Sequence, residues 1–587
     1  MTTVSFHFHG YQPGDLLRWL EPDPLKPPLF EERHSPVVHR IGAERIGGRN
    51  WTDAVLRTYG RLQSVLDRAA GTASVDIEPQ TLVWLLERDP EAYGRAVRAY
   101  EQGTAGLAMT VPFHPILPHH HRTERGALFD MMFDFYAPIL RRAANAPIGL
   151  WLPEGAVSAE TLTDFAEAAR RAELEHEGLP DFVRGVHLIL DARQLASVPE
   201  PGNAWARIGQ VNRMPVVVRD PALSGDFAFG ASEPSAFCES VGRHRASSLL
   251  VASDLESLLA NPAQAERFGG IVETLKAQGI EVAGPTPPDG APSAEAVDFS
   301  SWSDYDEYAR GGHTSDTRWT GVRRSDGVVV SRVHRGQPMS QLWKHGFALA
   351  TDRIETAVRR TAKQLLHRAG IGRRSEALRR LAVAYGRHVF RAHYRSQGLS
   401  SSETDFADAA EVILKGRVDA DRAALVARGY VLLLMGLRSD PPFWDNPDTR
   451  VTFQGVALLA QALADLSTAC ERTGDSTRAL RLTRLLRATL LEFSEWHGRG
   501  EFADVHGEKG WEVTEAAWHE ALASEVPQRS AKDIVRRAAL YALRDVDLGR
   551  SDEIRAAVEP VVADTGHIVG EAHGDWENKE WCEHRSP

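Results

Sequence analysis

The sequence predicts an α/β protein, a barrel of parallel strands alternating with helices, followed by an all-α domain. Three observations predict it. Short apolar runs of strand length recur from Thr3 to Ala283, most followed by a helical stretch, the signature of βαβ units and a parallel sheet. They form seven or eight such units, enough to close into a barrel. After about Val333 the pattern turns helical almost throughout, with few β-branched runs. At 587 residues the chain exceeds what one core usually holds. The expected division is a catalytic barrel over 1–335, a helical domain over 336–575 and an irregular tail over 576–587.

Val4, Phe6 and Phe8 alternate with Ser5, His7 and His9, so a first strand over Thr3–His9 shows apolar residues to covering helices and both histidines to the barrel interior. A Pro-rich loop, Glu21–Pro36, and a helix over Thr52–Ala69 follow. The strand Ala73–Glu78 alternates Val75 and Ile77 with Asp76 and Glu78, and Pro79 stands where a helix begins. Further strands are expected at Gly106–Val111, Ile148–Leu152, Gly185–Asp191, Pro215–Arg219, Ser248–Ala252 and Ile280–Ala283. Between them lie helical patterns at Pro90–Gly103, Arg125–Ala144, Ala159–Glu177 and Ala263–Gly279, and a loop follows at Gly284–Ala296. The second domain reads as helices at Gln341–Arg368, Ser375–Ser396, Arg422–Gly436, Val451–Arg472 and Ser476–Trp496.

Composition excludes several classes. With 68 Lys and Arg against 80 Asp and Glu, the net charge of -12 leaves no cationic excess for nucleic-acid phosphates. No apolar run reaches transmembrane length and no basic amphipathic helix suits a membrane surface. Cys238, Cys470 and Cys582 are too few and too scattered for a disulfide framework or a CxxC metal site, so the chain reads as cytoplasmic. It has no P-loop, no GxGxxG after a strand and no GxSxG elbow.

What remains is carboxylate chemistry at strand ends. The run Leu150-Trp151-Leu152-Pro153-Glu154 puts Glu154 at the C-terminal end of a buried parallel strand, where α/β barrels place catalytic groups. The plainer reading is a carboxylate near the N-terminus of the next helix. Asp254, just past Ser248–Ala252, lies at the same end of another strand; the plainer reading there is a helix N-cap. Two carboxylates at one barrel mouth are what glycoside hydrolysis requires. His7 and His9 form an HxH pair that, with Asp254, also fits a metallohydrolase. His114 lies just past its strand, whereas His119, His120 and His121 read as a solvated loop. Of 14 Trp, Trp151, Trp302 and Trp319 fall near the strands' C-terminal side, where indole faces suit sugar rings.

These residues also resemble glycoside hydrolase family 57, whose members act on α-glucans and related α-linked sugars. His7-Phe8-His9-Gly10-Tyr11-Gln12-Pro13 is similar to its first motif, with Gly10 and Tyr11 inserted before Gln12. Phe113-His114-Pro115-Ile116-Leu117-Pro118 is similar to the second, and Trp151-Leu152-Pro153-Glu154 to the third. Val251-Ala252-Ser253-Asp254-Leu255-Glu256 falls where the fourth lies, though Ser257-Leu258-Leu259 replaces the usual aromatic-Gly-His continuation. Ser301-Trp302-Ser303 is a looser fifth, and Ser439-Asp440-Pro441-Pro442-Phe443-Trp444 resembles part of the family's helical domain.

The resemblance implies a distorted TIM-like (β/α)7 barrel followed by helices, and a retaining α-amylase, 4-α-glucanotransferase or branching enzyme. It implies Glu154 as nucleophile, Asp254 as acid/base, and His7, His9, Gln12, His114, Trp151, Trp302, Asp440 and Trp444 as substrate-binding residues, with no metal or cofactor. The partner it implies is an α-glucan or oligosaccharide, with neither nucleic acid nor membrane. The alternatives are the metal-dependent barrel hydrolase and a catalytically inactive glycan-binding relative.

Overall fold

The computed structural model describes residues 2–12, 45–46, 49–50, 58–143, 147–176, 185–195, 204–208, 214–230, 233–244, 247–288, 290–294, 301–302, 317–321, 331–334, 337–443 and 450–486. The Pro-rich loop Glu21–Pro36, Trp444, the far end of the Ser476–Trp496 helix and the tail over 576–587 lie outside the described residues.

The strands that build the barrel are β1 (Thr3–Gly10), β2 (Ala73–Ile77), β3 (Gly106–Met109), β4 (Ile148–Leu150), β5 (Val186–Asp191), β6 (Trp205–Ile208), β7 (Met214–Arg219) and β8 (Ser248–Asp254). All but β6 are parallel, in the order β8-β1-β2-β3-β4-β5-β7, and a Leu250↔Arg219 pairing returns β7 to β8. This is the expected (β/α)7 closure. The antiparallel β6, paired with β7, was not foreseen: Trp205-Ala206-Arg207-Ile208 is too short to carry a period.

Strand alternation fixes what faces where. Phe6 and Phe8 point outward into a layer with Phe227 and Phe268, each 5.1 Å from the Phe268 ring centre in edge-on geometry. Fully burying such a ring contributes about 2–3 kcal/mol. Inside lies a smaller apolar cluster of Ala108, Trp151, Ile189, Ala204, Trp205, Val217 and Leu250. The layer above it, at the strands' C-terminal ends, is polar, because the register aligns Asp76, His9 and Asp254 on neighbouring strands.

The helices begin where the sequence supplies a cap followed by proline. Glu78, Asp89, Asp220 and Asn261 each accept a backbone N–H from the first turn, with Pro79, Pro90, Pro221 and Pro262 next in line. The C-terminal part is helical, with its longest helices at Leu342–Arg368, Ala420–Gly436 and Arg450–Arg472. The expected helix Ser375–Ser396 is divided at Phe390 into Arg374–Val389 and Arg391–Ser396, and the Phe390 ring packs on Phe113 and Phe135. The histidine triplet is a correction. His120 is buried at 3.2 Å from the Glu355 carboxylate, and His121 caps the helix Arg122–Leu140, accepting from the Thr123 N–H. His120 is thus structural, whereas the His121 ring remains about half exposed, as expected of a solvated position. Among the described residues no helix is long and apolar enough to cross a membrane.

Within the helical part, Arg428 and Asp465 form a fully buried bidentate pair at 2.6 and 2.7 Å, with Gln461 donating to the same carboxylate. Removing one partner leaves a buried charge, so Asp465→Ala is expected to cost about 3–5 kcal/mol. The paired replacement Arg428→Met with Asp465→Leu is expected to recover most of that. Urea denaturation of the three proteins checks both outcomes.

Candidate active site

The polar layer is organised by Asp76, a residue the sequence reading recorded only as part of an alternation. Its buried carboxylate lies 2.8 Å from His9 Nδ1 and 3.1 Å from His7 Nε2, the latter without the alignment of a hydrogen bond. His7 Nδ1 meets Ser74 Oγ at 3.0 Å. Burial disfavours charge on His9, but the Asp76 carboxylate, with Asp254 and Glu256 behind it, outweighs burial and raises the ring's pKa to about 9. Burial keeps His7 below its ordinary value despite the same partner. The rings therefore divide into a cation at His9 and a neutral imidazole at His7.

The charge on His9 fixes the next residue. His9 Nε2 lies 3.0 Å from His114 Nε2, and a protonated His9 donates there. His114 must then carry its proton on Nδ1, which reaches Ser439 Oγ at 2.8 Å and stands 4.0 Å from Glu154 Oε1. Burial, followed by the His9 and Arg438 charges, holds His114 well below the usual imidazole range. The inserted Tyr11 stacks on His114 with ring centres 3.9 Å apart; its hydroxyl donates to Asp440 and accepts from Arg438 at 2.7 Å.

Glu154 sits on a strained turn. It adopts φ 55°, ψ 20°, and Phe113 (φ 71°) and His114 (φ 53°) are also left-handed, so three of the four non-glycine residues with positive φ among those described are here. Each costs of order 1–3 kcal/mol and persists only where its surroundings enforce it. Glu78 does so for Phe113, accepting its N–H at 2.7 Å while capping the following helix. The Ser439 N–H, donating to the His114 carbonyl at 2.9 Å, does so from the helical part. Gln194 donates to the Gly155 carbonyl at 2.7 Å, and Gly155 itself is left-handed, with the Gln194 amide oxygen 3.1 Å from where a Cβ would stand.

Trp302 grips Glu154 twice. Its backbone N–H donates to the Glu154 carbonyl and its indole N–H to Oε2, both at 2.9 Å. Trp151 packs edge-on against the indole at 4.7 Å, and Trp319 donates to Ser301 next door. The Glu154 carboxylate is 12% exposed, enough to meet a ligand.

Asp254 occupies the N-cap position of the helix Leu255–Ala260 without capping it, so its side chain remains available to the mouth. The residue itself is open to solvent. Desolvation pushes its carboxyl up, Asp76 adds to this, and the His9 and Arg219 charges pull it back. The net direction is upward. Glu256, two residues on, is raised to about 7 by burial and by the Asp254 charge; the Tyr59 hydroxyl donates to it at 2.6 Å, and the Gln12 side chain also bonds it.

Two chains of contact join the carboxylates. One runs Glu154–His114–His9, with Asp254 beside His9 in register. The other runs Glu154–Trp302–Arg219, whose charge reaches Asp254.

His9, Gln12, His114, Trp302, Glu154 and Asp254 thus gather around one mouth, while His7 and Trp151, packed on each other and fully buried, lie in the layer beneath it. Asp440 joins through Arg438 and Tyr11, its carboxylate engaged by both. His7 and His9 are turned to Asp76, and among the described residues no group of three or more His, Cys, Asp or Glu is arranged to hold a metal ion. The sequence reading missed Asp76, Glu78, Gln194, Ser439 and Arg438. Asp76 was findable as a carboxylate on an inward strand face; the others depend on long-range packing.

The comparisons fit this arrangement. Residues 1–286 match the family profile of the maltose-forming alpha-amylase-like N-terminal domain, and 318–566 match that of its C-terminal domain. The chain is similar to the crystal structure of an exo-type maltose-forming amylase from Pyrococcus sp. ST04, at 31% identity, TM-score 0.74 and 100% coverage of both chains. Weaker matches include a 4-alpha-glucanotransferase from Thermococcus litoralis (10% identity, 79% and 60% coverage, TM-score 0.41). Another is a GH57 branching enzyme from Thermococcus kodakaraensis (11% identity, 82% and 94% coverage, TM-score 0.37). No curated protein matches the sequence.

The His9 value carries a stability prediction. A folded pKa of about 9, above 6.5 for the free ring, means the Asp76–His9 pair stabilises the fold fully below pH 6.5 and loses that contribution as pH rises through 9. Asp76→Asn is expected to cost about 3–5 kcal/mol at pH 6.5 and to flatten the decline of the thermal midpoint between pH 6.5 and 10. Calorimetry of both proteins across that range measures it.

Proposed function

The chain belongs to the maltose-forming α-amylase-like group of glycoside hydrolase family 57, an α-glucan-active glycoside hydrolase or glucanotransferase, and from that premise we propose a retaining enzyme that releases maltose from α-glucan ends. Glu154 attacks the anomeric carbon, forming a carboxylate–sugar bond as the glycosidic bond breaks, while protonated Asp254 gives its proton to the departing oxygen. Asp254 then takes a proton from water, which cleaves the glycosyl-enzyme and restores Glu154.

One observation carries this reading: Glu154, strained and fixed by Trp302, shares a barrel mouth with an Asp254 carboxyl whose pKa is raised. A carboxylate held rigid suits a nucleophile, and a carboxyl that keeps its proton suits an acid. The neutral His114 and the charged His9 lie between them, their ring nitrogens engaged with Asp76, Ser439 and one another, so they fix the floor of the mouth and its charge. Trp151 is 1% exposed, so its indole serves as a wall for Trp302 rather than a broad stacking face. The maltose-forming specificity follows the name of the full-length relative from Pyrococcus sp. ST04. We divide the chain near residue 335 into a catalytic barrel and a helical domain over 336–575, and place it in the cytoplasm, without nucleic acid or membrane as partner.

Incubation with amylose and maltooligosaccharides, with products followed by chain length and anomeric configuration, tests the proposal. Maltose in the α-configuration is expected. Longer transfer products or branch points assign the transferase reading instead, and β-maltose rejects retention. Glu154→Gln is expected to lower kcat by about 10⁴-fold or more. Asp254→Asn is expected to lose about 10²–10⁴-fold on maltooligosaccharides, far less on an α-maltoside with an acidic phenol leaving group, and to lose the basic limb of the pH profile.

A further inference from the structure

One cation at the mouth has no part in this chemistry as stated: it lies against the tryptophan that holds Glu154, and its charge acts on Asp254. Arg219 ends β7 and shares the inward face with Val217 and Asp191. Its Nε donates to Asp191 Oδ2 at 2.6 Å, across a register in which the two residues are direct partners. Its guanidinium carbon lies 4.6 Å from the centre of the Trp302 ring. Trp302 donates its indole N–H to Glu154 Oε2. On its other side β7 meets β8, whose inward residues Leu250 and Ala252 lead to Asp254.

We propose that Arg219 is a positioning residue for the glycosyl transfer: anchored by Asp191, it holds the Trp302 indole in place on Glu154 and presents its charge to Asp254 on the neighbouring strand. The inference rests on the reaction assigned above to Glu154 and Asp254. A planar cation on an indole face contributes about 0.5–2 kcal/mol, more where water is excluded. That is comparable to the indole hydrogen bond it protects. Trp151 holds the indole by its edge and Arg219 by its face, which leaves the N–H one direction to point.

The groups that act on Asp254 come from four elements: His9 from β1, Asp76 from β2, Arg219 from β7, and Glu256 from the helix Leu255–Ala260. His9 and Arg219 lower its pKa and Asp76 raises it; Glu256 titrates against it. Removing Arg219 takes away a charge that favours the carboxylate. Asp254 then keeps its proton to higher pH, and the basic limb of kcat/KM moves up.

Arg219→Met and Arg219→Lys test this, assayed across pH on a maltooligosaccharide. Arg219→Met is expected to lower kcat by about 10–10²-fold and move the basic limb up by about one pH unit. Arg219→Lys is expected to return the limb to its wild-type position without restoring kcat, because an ammonium supplies charge but neither the planar stack nor the geometry toward Asp191. A merely structural arginine would lower both variants' stability and leave the limb where it was. Should Arg219→Met fail to fold, Arg219→Gln replaces it: the loss of charge is expected to move the limb up in the same way, and an unmoved limb rejects the inference.

Full kcat with a wild-type limb in Arg219→Met overturns the inference while the assigned reaction stands. A wild-type protein inert on α-glucans overturns the assigned reaction instead. In that case the Asp254 titration, identified in infrared difference spectra by its loss in Asp254→Asn, decides for Arg219: an upward shift in Arg219→Met supports the inference and an unchanged titration rejects it.

Discussion

A buried carboxylate between two imidazoles is the constraint from which the rest of the site follows. Asp76 is fully enclosed, and an ionised carboxyl cannot remain there without a cation. His9 becomes that cation. Once His9 is charged, the proton on His114 is forced to Nδ1, and the direction of every bond from β1 to Ser439 is set. Three strands and the helical part thus agree on one arrangement of hydrogens, and a histidine with two interchangeable tautomers becomes a fixed donor beside Glu154.

The helical part completes the mouth rather than decorating it. Ser439 holds both the backbone and the ring of His114, and the neighbouring Arg438 and Asp440 take the hydroxyl of Tyr11, which covers the other face of that ring. Strain in Phe113, His114 and Glu154 is sustained by contacts arriving from three directions, namely Glu78, Ser439 and Trp302. The inserted Gly10 and Tyr11 span the gap between barrel and helices, the Tyr11 ring lying on His114 and its hydroxyl between Arg438 and Asp440. Placement here depends on enforced backbone geometry, the condition under which side chains are held closely enough for bond-making chemistry.

Much of this was legible in the residues. The alternation in Val4–His9 set both the core face and the histidine face of β1, and cap-proline pairs such as Glu78-Pro79 and Asp220-Pro221 marked helix starts. The position of Glu154 after an apolar strand marked the nucleophile candidate, and Asp254 stood at the matching end of β8. The partnerships were not legible. His120 reads as solvated because its partner, Glu355, is 235 positions away in the chain. Ser439 was legible only as the start of a segment resembling the family's helical domain, with nothing local to pair it with His114, and Asp440, expected to meet substrate, engages Arg438 and Tyr11 with its carboxylate. Periodicity reports which face a residue occupies; it says nothing of what another element brings to that face.

The most direct test of the account is to identify the atom that the sugar binds. Asp254→Asn treated with α-maltosyl fluoride, whose leaving group needs no proton, accumulates any glycosyl-enzyme, because the step that removes it lacks its base. After acid quench and peptic digestion, mass spectrometry is predicted to find one maltosyl unit on the peptide carrying Glu154. Fluoride release without an adduct, or an adduct on another carboxylate, would contradict the account.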